Sequence, residues 1–127
     1  MNLDEKLTKI IPSERQIKFQ QLEFYAFIHF TVNTFTDKEW GDGAESPEIF
    51  NPSRLDAEQW VTAVKSAGMK GLILTCKHHD GFCLFKTEHA WNWNSVDVGP
   101  HRDFCRELKD ACDKSDVRFG VYHSVYE

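Results

Sequence analysis

The sequence lacks three features that would assign it to large functional classes. It has no apolar run approaching the roughly 18 residues that a membrane-spanning helix needs, so no membrane partner is expected. Its Lys and Arg residues form no basic stripe and its net charge is −5, so nucleic acid is not expected as a partner. The N-terminal stretch MNLDEKLTKIIPSERQ contains no apolar core of a secretory signal, which favours a cytoplasmic location.

The sequence also lacks a C-x-x-C pair among its cysteines, which are Cys76, Cys83, Cys105 and Cys112. Buried free thiols in a reducing compartment are expected rather than disulfides. A zinc site built from Cys76, His78, His79 and Cys83 stays open as an alternative, although its spacing matches no common structural zinc pattern. The favoured interpretation has no bound metal and no cofactor.

Three continuous apolar runs predict strands that are covered on both faces, at residues 24–30, 71–75 and 117–122. Two helices are predicted between them. Asp56 and Asp103 are the expected N-caps of these helices, because an acidic side chain there can accept a hydrogen bond from the first helical turn.

The C-terminal end of the first predicted helix and the N-terminal segment carry further signals. Gly68 is expected to end the first helix, since glycine readily takes the left-handed conformation that closes helices. Residues 1–22 are expected to be helical or irregular. Within them, Pro12-Ser13-Glu14 is predicted to open a short helix that carries Ile17 and Leu22 inward.

The resulting order, β-α-β-α-β, predicts an α/β fold with a parallel sheet and right-handed crossovers. Three such strands make a poor sheet alone, because two helices cannot bury the apolar residues on both of its faces. A partial (β/α)8 barrel, represented by its first three strands and two crossover helices, fits better. The chain is therefore interpreted as an N-terminal fragment of a larger assembly.

Polar side chains gather where the predicted strands end. His29 closes the first strand, His78 and His79 follow the second, and Tyr122 and His123 close the third. In barrels of this kind the active site lies at the carboxyl ends of the strands. These side chains are candidate site residues, although each alone could be an ordinary polar residue of a strand end or loop. Adjacent His78 and His79 would point to opposite faces if the strand continued through them.

Longer segments resemble a known family, the α-L-fucosidases of glycoside hydrolase family 29, over roughly residues 20–124. The NTFT and EWGDG stretches are more similar to bacterial members than to animal ones. The segments that carry the resemblance are Phe27-Ile28-His29-Phe30, Asn33-Thr34-Phe35-Thr36, Glu39-Trp40-Gly41-Asp42-Gly43, Asn51-Pro52, Ala67-Gly68-Met69-Lys70, Leu74-Thr75-Cys76-Lys77-His78-His79-Asp80-Gly81-Phe82, Trp93-Asn94-Ser95 and Arg118-Phe119-Gly120-Val121-Tyr122.

The resemblance implies an exo-acting, retaining hydrolase that removes terminal α-L-fucose from fucosylated oligosaccharides or glycoconjugates. Residues 23–127 would be the incomplete N-terminal part of its (β/α)8 catalytic domain, and residues 1–22 a separate segment. The positions that match the family's fucose-binding residues would hydrogen-bond and enclose the sugar. They are His29, Glu39, Trp40, His78 and His79, with Tyr122 and His123 as further candidates at the end of the third strand.

The chain departs from the family pattern in three respects. His123 stands where many relatives carry a second Tyr or an apolar residue. Thr31 stands where relatives often carry glycine, so the backbone there is expected to lose some freedom. No catalytic residue is expected in this chain, since the family's nucleophilic Asp and its acid/base carboxylate lie further along the sequence. Glu39 matches a sugar-binding position and Asp80 a turn, so neither is assigned a catalytic role.

Two other functions remain as alternatives. A metal-dependent barrel hydrolase would use the histidines as ligands, although such sites favour H-x-H spacing over adjacent histidines. A non-catalytic fucose-binding relative would keep the pocket without turnover. Trp91 and Trp93 could stack on a sugar or could anchor their loop. Nothing in the sequence fixes the oligomeric state.

Overall fold

The computed structural model describes residues 2–90 and 92–125. Its centre is a parallel sheet of β1 (Ala26–Ile28), β2 (Gly71–Lys77) and β3 (Arg118–His123), with β2 in the middle. This confirms the predicted α/β class and the small parallel sheet. The described residues also form four α-helices and two short 3₁₀ turns: α1 (Leu3–Leu7), α2 (Glu14–Gln20), α3 (Ala57–Ser66), α4 (Phe104–Lys114), Val32–Phe35 and Pro47–Ile49.

The strand register aligns the carboxyl ends of the three strands. Ile28 of β1 pairs with Leu74, while Lys77 at the end of β2 pairs with His123 at the end of β3. β1 is shorter than predicted at both ends, and beyond its C-terminal end the Phe30 N–H donates to the Thr75 hydroxyl at 3.0 Å. The side chains that follow these strands therefore meet at one edge of the sheet.

Both crossover helices begin at their predicted caps. Asp56 Oδ1 accepts a hydrogen bond from the Gln59 N–H at 3.1 Å, and Asp103 Oδ1 accepts one from the Arg106 N–H at 2.8 Å. Gly68 has φ +77°, the left-handed conformation expected after α3. Two acceptors at the helix starts, each typically contributing about 1 kcal/mol, thus set where the crossovers begin.

One face of the sheet is packed and the other is open. α3 and α4 pack on each other and on the sheet, where they bury Val61, Leu108 and the strand residues Leu72 and Leu74. On the other face Phe27 is 52% exposed. Within the described residues, the predicted cover on both faces is therefore present on one face only.

The N-terminal helices form but do not enter the core. α2 begins at the predicted cap, where Ser13 accepts a hydrogen bond from the Gln16 N–H. The inward placement of Ile17 was wrong, since α2 contains no buried residue and Ile17 is 41% exposed. The helix instead sets Phe19 against Tyr25, with ring centroids 5.4 Å apart, and leaves Leu22 half-buried.

The cysteines are free thiols, as predicted. Cys105 on α4 donates a hydrogen bond to Cys76 Sγ on β2, at 2.8 Å. This hydrogen bond, followed by burial, raises the pKa of the Cys105 thiol. Burial raises the pKa of Cys112 to about 11, so both thiols are protonated at neutral pH.

None of the helices in residues 2–90 and 92–125 is long and apolar enough to cross a membrane.

Candidate functional site

Three imidazoles converge where β1 and β2 end. The His29 and His78 ring centroids are 4.3 Å apart, and those of His78 and His79 are 4.4 Å apart. Because β2 ends at Lys77, His78 and His79 lie in the following turn and are not forced to opposite faces. Tyr122 from β3 joins the group, with its ring centroid 6.0 Å from that of His78. We call His29, His78 and His79 the histidine cluster.

His78 is the most buried member of the cluster, with 5% of its surface exposed. Its Nδ1 atom is buried and finds no hydrogen-bond partner among the described residues. Burial lowers the pKa of this imidazole, and the neighbouring His29 and His79 lower it further. A neutral imidazole has one donor and one acceptor nitrogen. At neutral pH His78 is therefore suited to an uncharged, hydroxyl-bearing ligand.

His79 is held from the end of β3. Ser124 Oγ lies 2.8 Å from His79 Nδ1 and fixes the orientation of the ring. Trp40 approaches from the loop after β1, with its indole 5.5 Å from the His79 ring and 65% of the residue exposed. The role of Ser124 was missed from the sequence, because nothing local links it to a histidine 45 positions earlier.

Glu39 shares a cavity with His29, one member of the histidine cluster. This cavity, of about 420 Å³, is also lined by Thr31 and Asn33. The Asn33 side-chain amide donates a hydrogen bond to the Glu39 backbone carbonyl at 2.7 Å. Sequence reasoning did not single out Asn33, although it lies in the NTFT stretch. The loop that carries Glu39 is thus tied to the end of β1.

Asp80 and Trp93 have structural roles. Asp80 Oδ1 accepts a hydrogen bond from the Phe82 N–H at 2.8 Å, which is the turn role predicted for it. Burial raises the pKa of the Asp80 carboxyl, and the Phe82 bond opposes that shift. The Trp93 indole N–H donates to the Asp80 carbonyl at 2.7 Å, so Trp93 anchors its loop rather than facing a ligand. Trp91 lies outside the described residues.

His123 is not brought to the histidine cluster. Its ring packs near Phe85, with centroids 6.5 Å apart, and it lines a different cavity together with Lys77 and Trp93. Successive residues of a strand face opposite sides. Tyr122 faces His78 and Phe27, so His123 points away from them.

Thr31 needs no glycine-like freedom. Its φ of −149° and ψ of −169° are extended values that any residue adopts, so the expected loss of backbone freedom was wrong. The Thr31 hydroxyl is used instead. It accepts a hydrogen bond from the Asn33 N–H at 3.3 Å and caps the 3₁₀ turn Val32–Phe35.

The alternative zinc site gains no support from the geometry. No group of three or more His, Cys, Asp or Glu side chains in residues 2–90 and 92–125 is arranged to hold a metal ion. Cys76 pairs with the Cys105 thiol, and Cys83 Sγ donates to the Gly81 carbonyl at 3.5 Å. Both sulfurs of the suggested ligand set thus have local partners.

Comparison with known proteins gives a consistent result. The family model described as Alpha-L-fucosidase matches residues 9–127. "Alpha-L-fucosidase 1" of Arabidopsis thaliana is 39% identical over 125 residues, which cover 92% of this chain and 24% of the relative. The chain thus spans about a quarter of the length of this curated relative.

Two solved structures are similar to this chain. A putative alpha-L-fucosidase from Bacteroides ovatus superposes with a TM-score of 0.87 and 49% identity, over 92% of this chain and 20% of that one. A glycoside hydrolase 29 family member from an unknown rumen bacterium gives a TM-score of 0.86 and 45% identity, over 92% and 22%. The sheet, the crossover helices and the loops between them therefore have close counterparts in larger proteins.

Proposed function

Because the chain belongs to the α-L-fucosidase family, glycoside hydrolase family 29, we propose that it forms the N-terminal part of a (β/α)8 catalytic domain that hydrolyses terminal α-L-fucose. Residues 23–127 belong to this domain, and residues 1–22 form a separate N-terminal segment. The substrates are fucosylated oligosaccharides or glycoconjugates.

The open face of the sheet supports the barrel. Phe27 on the open face of β1 is 52% exposed, although parallel strands are normally covered on both faces. In a closed barrel the side chains of one sheet face fill the interior in layers. Further strands of the same domain would bury these side chains, as a lone three-stranded sheet does not.

The histidine cluster is the observation that carries the proposal. Two separate strand ends place three imidazoles side by side, with neighbouring ring centroids 4.3 and 4.4 Å apart. A sugar presents hydroxyls that both donate and accept, which suits neutral imidazoles. Trp40 offers an apolar surface beside His79, and Glu39 offers a carboxylate acceptor in the cavity that His29 lines.

The proposed reaction is a retaining double displacement. A carboxylate attacks the anomeric carbon, while a second carboxyl group protonates the leaving oxygen and later activates water. We place both groups in segments outside this chain. Of the carboxylates near the cluster, Asp80 is buried in its turn and Glu39 is proposed to bind sugar hydroxyls. Contacts from His29, His78 and His79 would strengthen as the ring flattens toward the transition state.

The proposal is tested with the full-length enzyme and p-nitrophenyl α-L-fucoside. We expect release of p-nitrophenol, with α-fucose as the first product seen by NMR, and no comparable release from p-nitrophenyl β-D-galactoside or α-D-mannoside. The 127-residue chain alone is expected to release none, because the catalytic pair is absent. Binding of L-fucose without turnover by the full-length protein would contradict the hydrolase and favour a non-catalytic relative.

A further inference from the structure

A buried row of polar side chains joins the turn after β2 to the loop that carries Glu39 and Trp40. Asp80, Thr31 and Asn33 form this row, and they are 4%, 1% and 5% exposed. Buried polar groups cost free energy unless their hydrogen bonds are made. Three such residues in contact, beside the cavity that His29 lines, point to a role beyond filling space.

The Thr31 hydroxyl is the centre of the row. It donates to Asn33 Oδ1 and lies 3.3 Å from Asp80 Oδ2, while it accepts from the Asn33 backbone N–H. Asp80 itself is fixed by the Phe82 N–H. The carbonyl side of the Asn33 amide is therefore held in one orientation. Its NH₂ group must then point the opposite way.

The NH₂ group of Asn33 meets the loop at Glu39. Its Nδ2 atom donates to the Glu39 carbonyl at 2.7 Å. The same loop touches the row a second time at Gly41, where an added Cβ would lie 2.7 Å from Asp80 Cβ. The side chains of Glu39 and Trp40 are exposed, so their positions depend on how the backbone between these two points is held.

We propose that Asn33 is a positioning residue for sugar binding. Its amide, oriented by the Thr31 hydroxyl, fixes the Glu39 backbone and so holds the loop that carries Glu39 and Trp40 beside the histidine cluster. The inference rests on the proposed function, because the loop is assigned to the sugar through that function. It adds buried residues that act on sugar binding through the loop.

The expected signature is a change in KM rather than in kcat. A loop that contacts the bound sugar in both the ground state and the transition state affects binding uniformly, and losing uniform binding raises KM. Asn33→Ala in the full-length enzyme is expected to raise KM for p-nitrophenyl α-L-fucoside about five- to tenfold, the worth of roughly one hydrogen bond. We expect kcat to change less than about twofold.

Thr31 provides a matched pair of variants that separates positioning from packing. Thr31→Val keeps the shape and removes the hydroxyl, so it is expected to raise KM about three- to fivefold, part of the worth of a hydrogen bond. Thr31→Ser keeps the hydroxyl and is expected to retain the wild-type KM. Asn92→Ala, at an exposed asparagine, serves as the control. If Asn33→Ala does not fold, the Thr31 pair decides.

Hydrogen exchange over residues 36–45 gives a readout that does not depend on activity. Faster exchange there in Asn33→Ala and Thr31→Val, but not in Thr31→Ser, supports the inference. The inference would be overturned if KM and exchange were unchanged in Asn33→Ala. It would also be overturned if KM rose equally in Thr31→Ser and Thr31→Val. A wild-type enzyme that does not hydrolyse the fucoside refutes the proposed function, while the exchange data still decide whether Asn33 holds the loop.

Discussion

Replacing His79 with alanine in the full-length enzyme is expected to lower kcat/KM for p-nitrophenyl α-L-fucoside at least tenfold. The His79 ring is oriented by Ser124 at 2.8 Å and faces the Trp40 indole at 5.5 Å. A fixed imidazole in this position loses little entropy on binding a sugar hydroxyl. A tenfold loss corresponds to about 1.4 kcal/mol, within the range for a hydrogen bond to a polar group.

The matched control for this variant is His89→Ala. His89 is an exposed histidine in the loop after β2, and it lines the cavity of His123 rather than that of His29. Its replacement is expected to leave kcat/KM within about twofold of the wild-type value. If His79→Ala left kcat/KM unchanged, His79 would be a structural residue and the proposed sugar contact would be wrong.

Gly41→Ala is expected to lower kcat/KM about ten- to a hundredfold through the loop that carries Trp40. An added Cβ would lie 2.7 Å from Asp80 Cβ and 2.9 Å from Glu45 Oε1. The Glu45 side chain can move aside, but Asp80 is 4% exposed and hydrogen-bonded to Phe82. The loop must therefore shift, and overpacking of this kind typically costs about 1–3 kcal/mol.

Ala44→Ser tests whether Gly41→Ala acts by overpacking. Ala44 is in the same loop but exposed, so the added atom meets solvent and activity is expected to stay within about twofold of wild type. Both variants are compared by kcat/KM and by thermal unfolding of the full-length enzyme. Wild-type kcat/KM in Gly41→Ala would show that this loop does not shape the pocket.

The parts of the fold that the sequence predicted are those with local causes. Asp56 and Asp103 accept hydrogen bonds three residues along the chain, and Gly68 takes a conformation that glycine favours on its own. The meeting of His29 with His78 was also predictable, because the carboxyl ends of parallel strands lie at one edge of a sheet.

The parts that could not be predicted depend on partners distant in the sequence. Ser124 is 45 positions from His79, and Thr31 is 49 positions from Asp80. Strand pairing brings them together, and no local pattern marks such pairs. Thr31 was noted as a departure from the family and expected to restrict the backbone, whereas its hydroxyl is what the structure uses.

Ile17 shows the same dependence. Its apolar side chain predicted burial, but α2 is short and packs through Phe19 against Tyr25. Whether His123 joins the histidine cluster also depended on side-chain orientation, because both Tyr122 and His123 lie at the end of β3. The alternation of the strand turns only Tyr122 toward His78.

The most direct measurement of the central claim is a crystal structure of the full-length enzyme soaked with L-fucose. We expect a sugar oxygen within about 3.2 Å of a ring nitrogen of His78 or His79, with His29 and Trp40 also in contact with the sugar. Fucose bound away from the histidine cluster would contradict this expectation.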